Sequence, residues 1–183
     1  IMKLNNPLVN PTPTSEKLDF ATRTDGLIGI NPVESGPNAI LSNRSGSLQV
    51  WFYYPDGRQQ QISKFDGHFW PRAMEFSPDG KKLIALVAGR IWLLQPDQDP
   101  IQVPTSSQHS RSPSWGWDSG SIIFQTSVNG RWQMMRYSLS SGNVEALDQT
   151  LDFYQESIDG RYVVRSFNDD NSFEMLELSN NKI

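Results

Sequence analysis

FSPDGKKLIAL, residues Phe76–Leu86, drives a tight polar turn straight into a short apolar run. Aspartate caps its own turn and glycine tolerates positive φ, so Asp-Gly suits a chain reversal between two strands. The stretch recurs as WGWDSGSIIF (Trp115–Phe124) and ESIDGRYVV (Glu156–Val164). Gly80, Gly120 and Gly160 are spaced by 40, but aligning the chemistry pairs Asp79, Asp118 and Asp159, with steps of 39 and 41. That register stacks Phe76 on Trp115, and Leu83-Ile84 on Ile122-Ile123 and Val163-Val164. It places Ser119 in the slot held by Gly80 and Gly160.

Two more features repeat behind each turn. SGSLQVW (Ser45–Trp51), NGRWQMM (Asn129–Met135) and DNSFEML (Asp170–Leu176) share turn residues, then Leu or an aromatic, Gln or Glu, and two apolar residues. AGRIWLL (Ala88–Leu94) is a shorter version. PDGRQQQIS, QPDQDPIQV and SSGNVEAL then close units as a turn and a short strand. Each unit reads strand, turn, strand, hairpin, strand, turn, strand. No long stretch carries apolar residues at helical spacing. Four short strands in about 40 residues is the period of a β-propeller blade. The sequence therefore predicts an all-β fold of about four blades of four antiparallel strands, over roughly 26–66, 67–104, 105–148 and 149–183. The first unit is degenerate, with Ser35-Gly36-Pro37-Asn38 at the turn. Residues 1–25, with Pro7, Pro11 and Pro13, read as an extended lead-in or the outer strand of a missing blade.

Composition narrows the functions. A formal charge of −4 and a pI near 5.1 argue against a nucleic-acid footprint, which needs a basic face. The chain has no cysteine, which removes disulfides, thiolate nucleophiles and zinc–thiolate sites. No apolar run is long enough to span a bilayer, and no N-terminal stretch reads as a signal peptide.

Phe76-Ser77-Pro78-Asp79-Gly80-Lys81-Lys82-Leu83, and Pro113-x-Trp115-x-x-Asp118 with Ile122-x-Phe124, resemble the WD40-like repeat of TolB-type propellers. LSNRSGSLQVWFYYPDGRQQQIS and QTSVNGRWQMMRYSLSSGNVEAL resemble its later strands. The resemblance covers about residues 30–178. It implies one of three settings. One is the periplasmic TolB scaffold, which binds a protein partner. Another is the accessory propeller of prolyl-oligopeptidase-type serine peptidases. The third is the C-terminal periplasmic region of CadC/ToxR-like regulators, where a winged helix and one membrane helix precede it. The Pro-rich start favours the third. Four units are fewer blades than such propellers usually hold, so the arc is expected to be completed by further blades or by a second copy.

The candidate chemistry is sparse. His68 and His109 lie 41 residues apart, without tight ligand spacing for a metal. No Gly-x-Ser-x-Gly elbow accompanies the many serines. Asp169-Asp170 and Asp97-x-Asp99 read as turn chemistry, not as a calcium loop. No catalytic residue, metal or cofactor is expected. Arg72 and Arg111 stand out because the 39-residue register puts them at one position of consecutive units, ahead of the innermost strand. His109 aligns with Trp70 in the same loops. Arg72, Arg111, His109, Trp70 and His68 are thus the candidate contacts for a partner or a small acidic ligand. In the next unit Asp152 takes the arginine's place. Trp51, Trp92 and Trp132 are expected to pack between blades. The resulting expectation is a non-enzymatic sensing or protein-binding module in the periplasm. It would bind a protein or itself, bind no nucleic acid, and meet the membrane only through regions outside this chain.

Overall fold

The computed structural model describes residues 25–66, 71–105, 109–147, 151–167 and 170–178. These residues contain no helix. Their strands form four antiparallel sheets in chain order. The first sheet is β1 (Asp25–Gly29), β2 (Asn38–Ser42), β3 (Gln49–Tyr53) and β4 (Gln59–Gln61). The second is β5 (Pro71–Phe76), β6 (Leu83–Val87), β7 (Arg90–Leu94) and β8 (Ile101–Gln102). The third is β9 (Ser110–Trp115), β10 (Ser121–Val128), β11 (Arg131–Ser138) and β12 (Val144–Ala146). The fourth has three described strands, β13 (Leu151–Glu156), β14 (Tyr162–Phe167) and β15 (Asp170–Glu177). The predicted all-β succession of blades is what the chain forms.

The recurring turn is one hydrogen-bonded device. After β5, Gly80 N–H donates to Ser77 O at 2.8 Å, Ser77 Oγ donates to Asp79 Oδ1 at 2.6 Å, and Lys82 N–H donates to Ser77 Oγ at 3.0 Å. After β13 the same bonds join Gly160 to Ser157 O, Ser157 to Asp159, and Tyr162 to Ser157. In the third sheet Gly116 replaces the serine, and Ser121 Oγ lies where a Cβ on Gly116 would go. Ser119 holds the left-handed slot at φ +59°, beside +68° for Gly80 and Gly160. Its hydroxyl rewards the strain by accepting Asp79 N–H at 3.0 Å. A side chain thereby links the turns of neighbouring sheets.

Alternation in the strands builds a core between successive sheets, not within one. In β6, Leu83, Ala85 and Val87 join Leu41, Val50 and Phe52 of the first sheet. Ile84 and Leu86, on the other face, join Ile122 and Phe124 of the third. Burial on both faces explains why β6 reads as continuous apolar residues instead of alternating ones. The third and fourth sheets meet around Ile123, Met134 and Leu151. This last cluster is smaller, and polar bonds supplement it. The Glu156 side chain, 5% exposed, accepts from Arg136 Nη2 at 2.6 Å, Trp117 N–H at 3.0 Å and Tyr154 Oη–H at 3.0 Å.

The turn carboxylates give the fold an acid limit. Burial pushes Asp79 up, but the Ser77 hydroxyl, the Lys81 N–H and the Lys82 ammonium outweigh it and hold it below the usual carboxylate range. The Ser157 hydroxyl and the Arg161 N–H hold Asp159 low as well. Carboxylates lowered on folding stabilise the protein above their unfolded pKa, and that stability is lost as pH falls through the folded value. The urea midpoint should therefore drop below about pH 4, and Asp79→Asn with Asp159→Asn should flatten that drop. An unchanged slope in the double variant would refute the assignment.

Candidate functional site

Arg72, His109 and Arg111 sit at the end of the sheets opposite the recurring turns, where the innermost strands β5 and β9 begin. His68 and Trp70 lie outside the described residues. Arg72, His109 and Arg111 are exposed. Each innermost strand carries a bulge near its start. In β5 the extra residue is Arg72, because Pro71 pairs with Val87 and Ala73 with Leu86. In β13 it is Asp152, between Leu151 and Phe153. In β9 the bulge moves downstream. Arg111 pairs with Gln125, and the ladder resumes at Ser114 and Ile123. Ser112 turns to φ +49° there, followed by Pro113. Proline offers no N–H to a ladder, so the irregularity settles where the donor is missing.

The two arginines that share a repeat position thus have different settings. Arg72 is bulged out and has no partner among the described residues. Arg111 is in register, on the face that Gln125 and Met134 turn to the fourth sheet. Its Nε–H donates to Gln125 Oε1 at 2.6 Å, and its guanidinium carbon lies 4.1 Å from the centre of the Trp132 ring. Gln125 is buried, and its amide donates to the Asp152 carbonyl oxygen, with Asp152 Oδ1 at 3.5 Å. Among the described residues no contact joins Arg72 to Arg111. The exposed backbone around His109 is tied to β10, since Ser127 N–H and Thr126 Oγ1 both donate to its carbonyl oxygen.

Trp132 and Gln125 belong to this cluster; repeat reasoning passed over Gln125 and gave Trp132 another role. Middle-strand tryptophans were expected to pack between blades. Trp92 does, edge-on to Phe65 with ring centres 5.3 Å apart. Trp132 instead stays 38% exposed and backs Arg111. The available signal was Gln125 itself, the polar residue that ends the apolar run Ile122–Phe124. No cluster of three or more metal-ligating side chains occurs among the described residues.

The second distinctive feature is the outward face of the fourth sheet. Val164 pairs with Met175 and Ser166 with Phe173. The corresponding ladder positions of the second sheet are Ile84 with Leu93 and Leu86 with Ile91, all buried against the third sheet. In the fourth sheet Phe173 is 68% and Met175 71% exposed. The face chemistry of a blade seam is present there, and no described residue covers it.

No protein-family model and no curated protein sequence matches the chain. Solved structures do. TolB from Acinetobacter baumannii superposes with a TM-score of 0.58 at 18% identity, covering 84% of this chain and 40% of that one. A putative TolB from Agrobacterium tumefaciens gives 0.58 at 13% identity, over 84% of this chain and 57% of that one. Hydrazine synthase from Kuenenia stuttgartiensis gives 0.52 at 15%, over 83% and 50%. The chain spans about half the length of these structures or less. Identity this low speaks to architecture alone. The fold is that of a TolB-like β-propeller, formed here as an arc of four blades.

Proposed function

We propose that this chain is a non-catalytic protein-binding module, a run of propeller blades that works by joining another protein at the open face of its fourth blade. The carrying observation is the pair Phe173 and Met175, exposed at ladder positions that are buried seams elsewhere in the arc. Exposed apolar surface beside a strand with no outer neighbour among the described residues favours a sheet-bearing occupant, either a further blade or a second copy. Among the described residues β15 pairs only with β14. The finer reading is a periplasmic sensory segment of a membrane-anchored, CadC/ToxR-like transcriptional regulator, in which partner binding changes assembly. It draws on the TolB-like repeats. No helix among the described residues is long and apolar enough to cross a membrane.

Light scattering over a dilution series tests the binding face. The chain should self-associate, and Phe173→Ser with Met175→Ser should leave it monomeric and folded. A compact monomer at every concentration, with no response to the double substitution, would leave self-association without support. The parent reading frame tests the setting. A winged helix and one membrane helix upstream fit the regulator, whereas a downstream hydrolase segment with Gly-x-Ser-x-Gly would replace it with a peptidase propeller.

A further inference from the structure

We infer that Arg111, braced by Gln125 and Trp132 at the seam of the third and fourth sheets, is a receptor for a carboxylate attached to an apolar group. The site lies at the inner-strand end of that seam, away from the outward face of the fourth sheet, and does not depend on what docks there.

Three constraints orient the guanidinium before any ligand arrives. Nε is committed to Gln125 Oε1 at 2.6 Å. One face lies on the Trp132 ring at 4.1 Å. Gln125 cannot swing away, because it is 4% exposed and its amide is bonded to Asp152 of the next sheet. What remains is the outer edge of the fork. The terminal nitrogens have no partner among the described residues, and the side chain is exposed. A planar fork with fixed orientation and unspent parallel donors matches a carboxylate, which it binds through two bonds at once. The usual entropic cost of ordering a long side chain is already met.

The neighbours fit the same ligand. The one described carboxylate of the cluster, Asp152, sits on the far side of Gln125 and touches its amide, not Arg111. The Arg111 charge is therefore not spent on Asp152. Trp132 keeps 38% of its surface in water, so an apolar group next to the carboxylate can lie along the ring. Arg72 lacks each of these supports and is the natural comparison.

Two-dimensional NMR of the folded chain tests this. The Arg111 Nε–H and Trp132 indole N–H signals are identified by their loss in Arg111→Lys and Trp132→Phe. Phenylacetate, its neutral amide phenylacetamide, and the capped peptide acetyl-Phe-Glu-amide are the probes. Phenylacetate or the peptide should shift both signals saturably, and phenylacetamide should not. Arg111→Lys keeps the charge but loses the fork and the stacking, and should weaken binding by about fivefold or more. Arg72→Gln should change nothing. Saturation by the peptide but not by phenylacetate assigns the carboxylate to a protein partner; the reverse assigns it to a small acid. Equal responses to acid and amide, no saturable response to either carboxylate, or undiminished binding in Arg111→Lys with a native spectrum would overturn the inference.

Discussion

Replacing Phe124 by alanine is expected to destabilise the chain by about 3–5 kcal/mol, the cost of removing a fully buried aromatic ring and leaving a cavity behind. Phe124 has no exposed surface and clusters with Ile84, Leu86 and Ile91 across the seam of the second and third sheets, and with Trp115 of its own sheet. A stack of repeats draws its stability from such seams, because each blade contacts only its neighbours. A whole domain is stable by only about 5–15 kcal/mol, so the loss is a large share of the total. Losing the central seam should also uncouple the two halves of the arc, giving a broader urea transition with a lower slope. Phe173→Ala is the control. Phe173 is 68% exposed, and its main described contact is the Phe153 ring 5.9 Å away, so the change should stay within about 1 kcal/mol. If both variants shift the midpoint equally, the cores do not lie between the sheets.

Gly80→Val should cost roughly 3 kcal/mol or more, through backbone strain and displaced neighbours together. Gly80 sits at φ +68°, which a β-branched residue does not tolerate. A Cβ there would lie 2.3 Å from Asn31 Oδ1 and 2.9 Å from Val33 Cγ2. Asn31 is buried and donates to Gly80 O at 2.9 Å, so it cannot withdraw without breaking the link between the first and second sheets. Gly160 repeats the arrangement, with Trp117 packed where its Cβ would go. Ser119→Gly is the informative contrast. It relieves the backbone but removes the acceptor for Asp79 N–H, and its net effect should be near about 1 kcal/mol in either direction. Equal effects from Gly80→Val and Ser119→Gly in chemical denaturation would show that the turns do not lock neighbouring blades.

Much of the architecture was legible because turn chemistry is local. Ser77, Asp79 and Gly80 make bonds within a few residues of themselves, and Ser157, Asp159 and Gly160 make the same ones. The register pairing Asp79, Asp118 and Asp159 is the one in which these bonds superimpose. Even the exception at Ser119 was visible as a slot, although its hydroxyl bridge to Asp79, 40 residues away, was not. The candidate site was legible only in part. Equal spacing marked Arg72 and Arg111 as equivalent, and equivalence in a repeat is a statement about chain position. Their local geometry depends on where each strand bulges, which is after one paired residue in β5 and β13 but after two in β1 and β9.

The sequence by itself determined the strands, the turns and the period, because each follows from short-range constraints on φ, on capping and on alternation. Tertiary structure decided which faces meet. It buried Ile91 and Leu93 while leaving Phe173 and Met175 in water at matching positions. It also drew Trp132 out of the expected packing role to brace Arg111. The physical reason is common to both. Burial is a property of what lies across a seam, and no pattern within one strand records its neighbour.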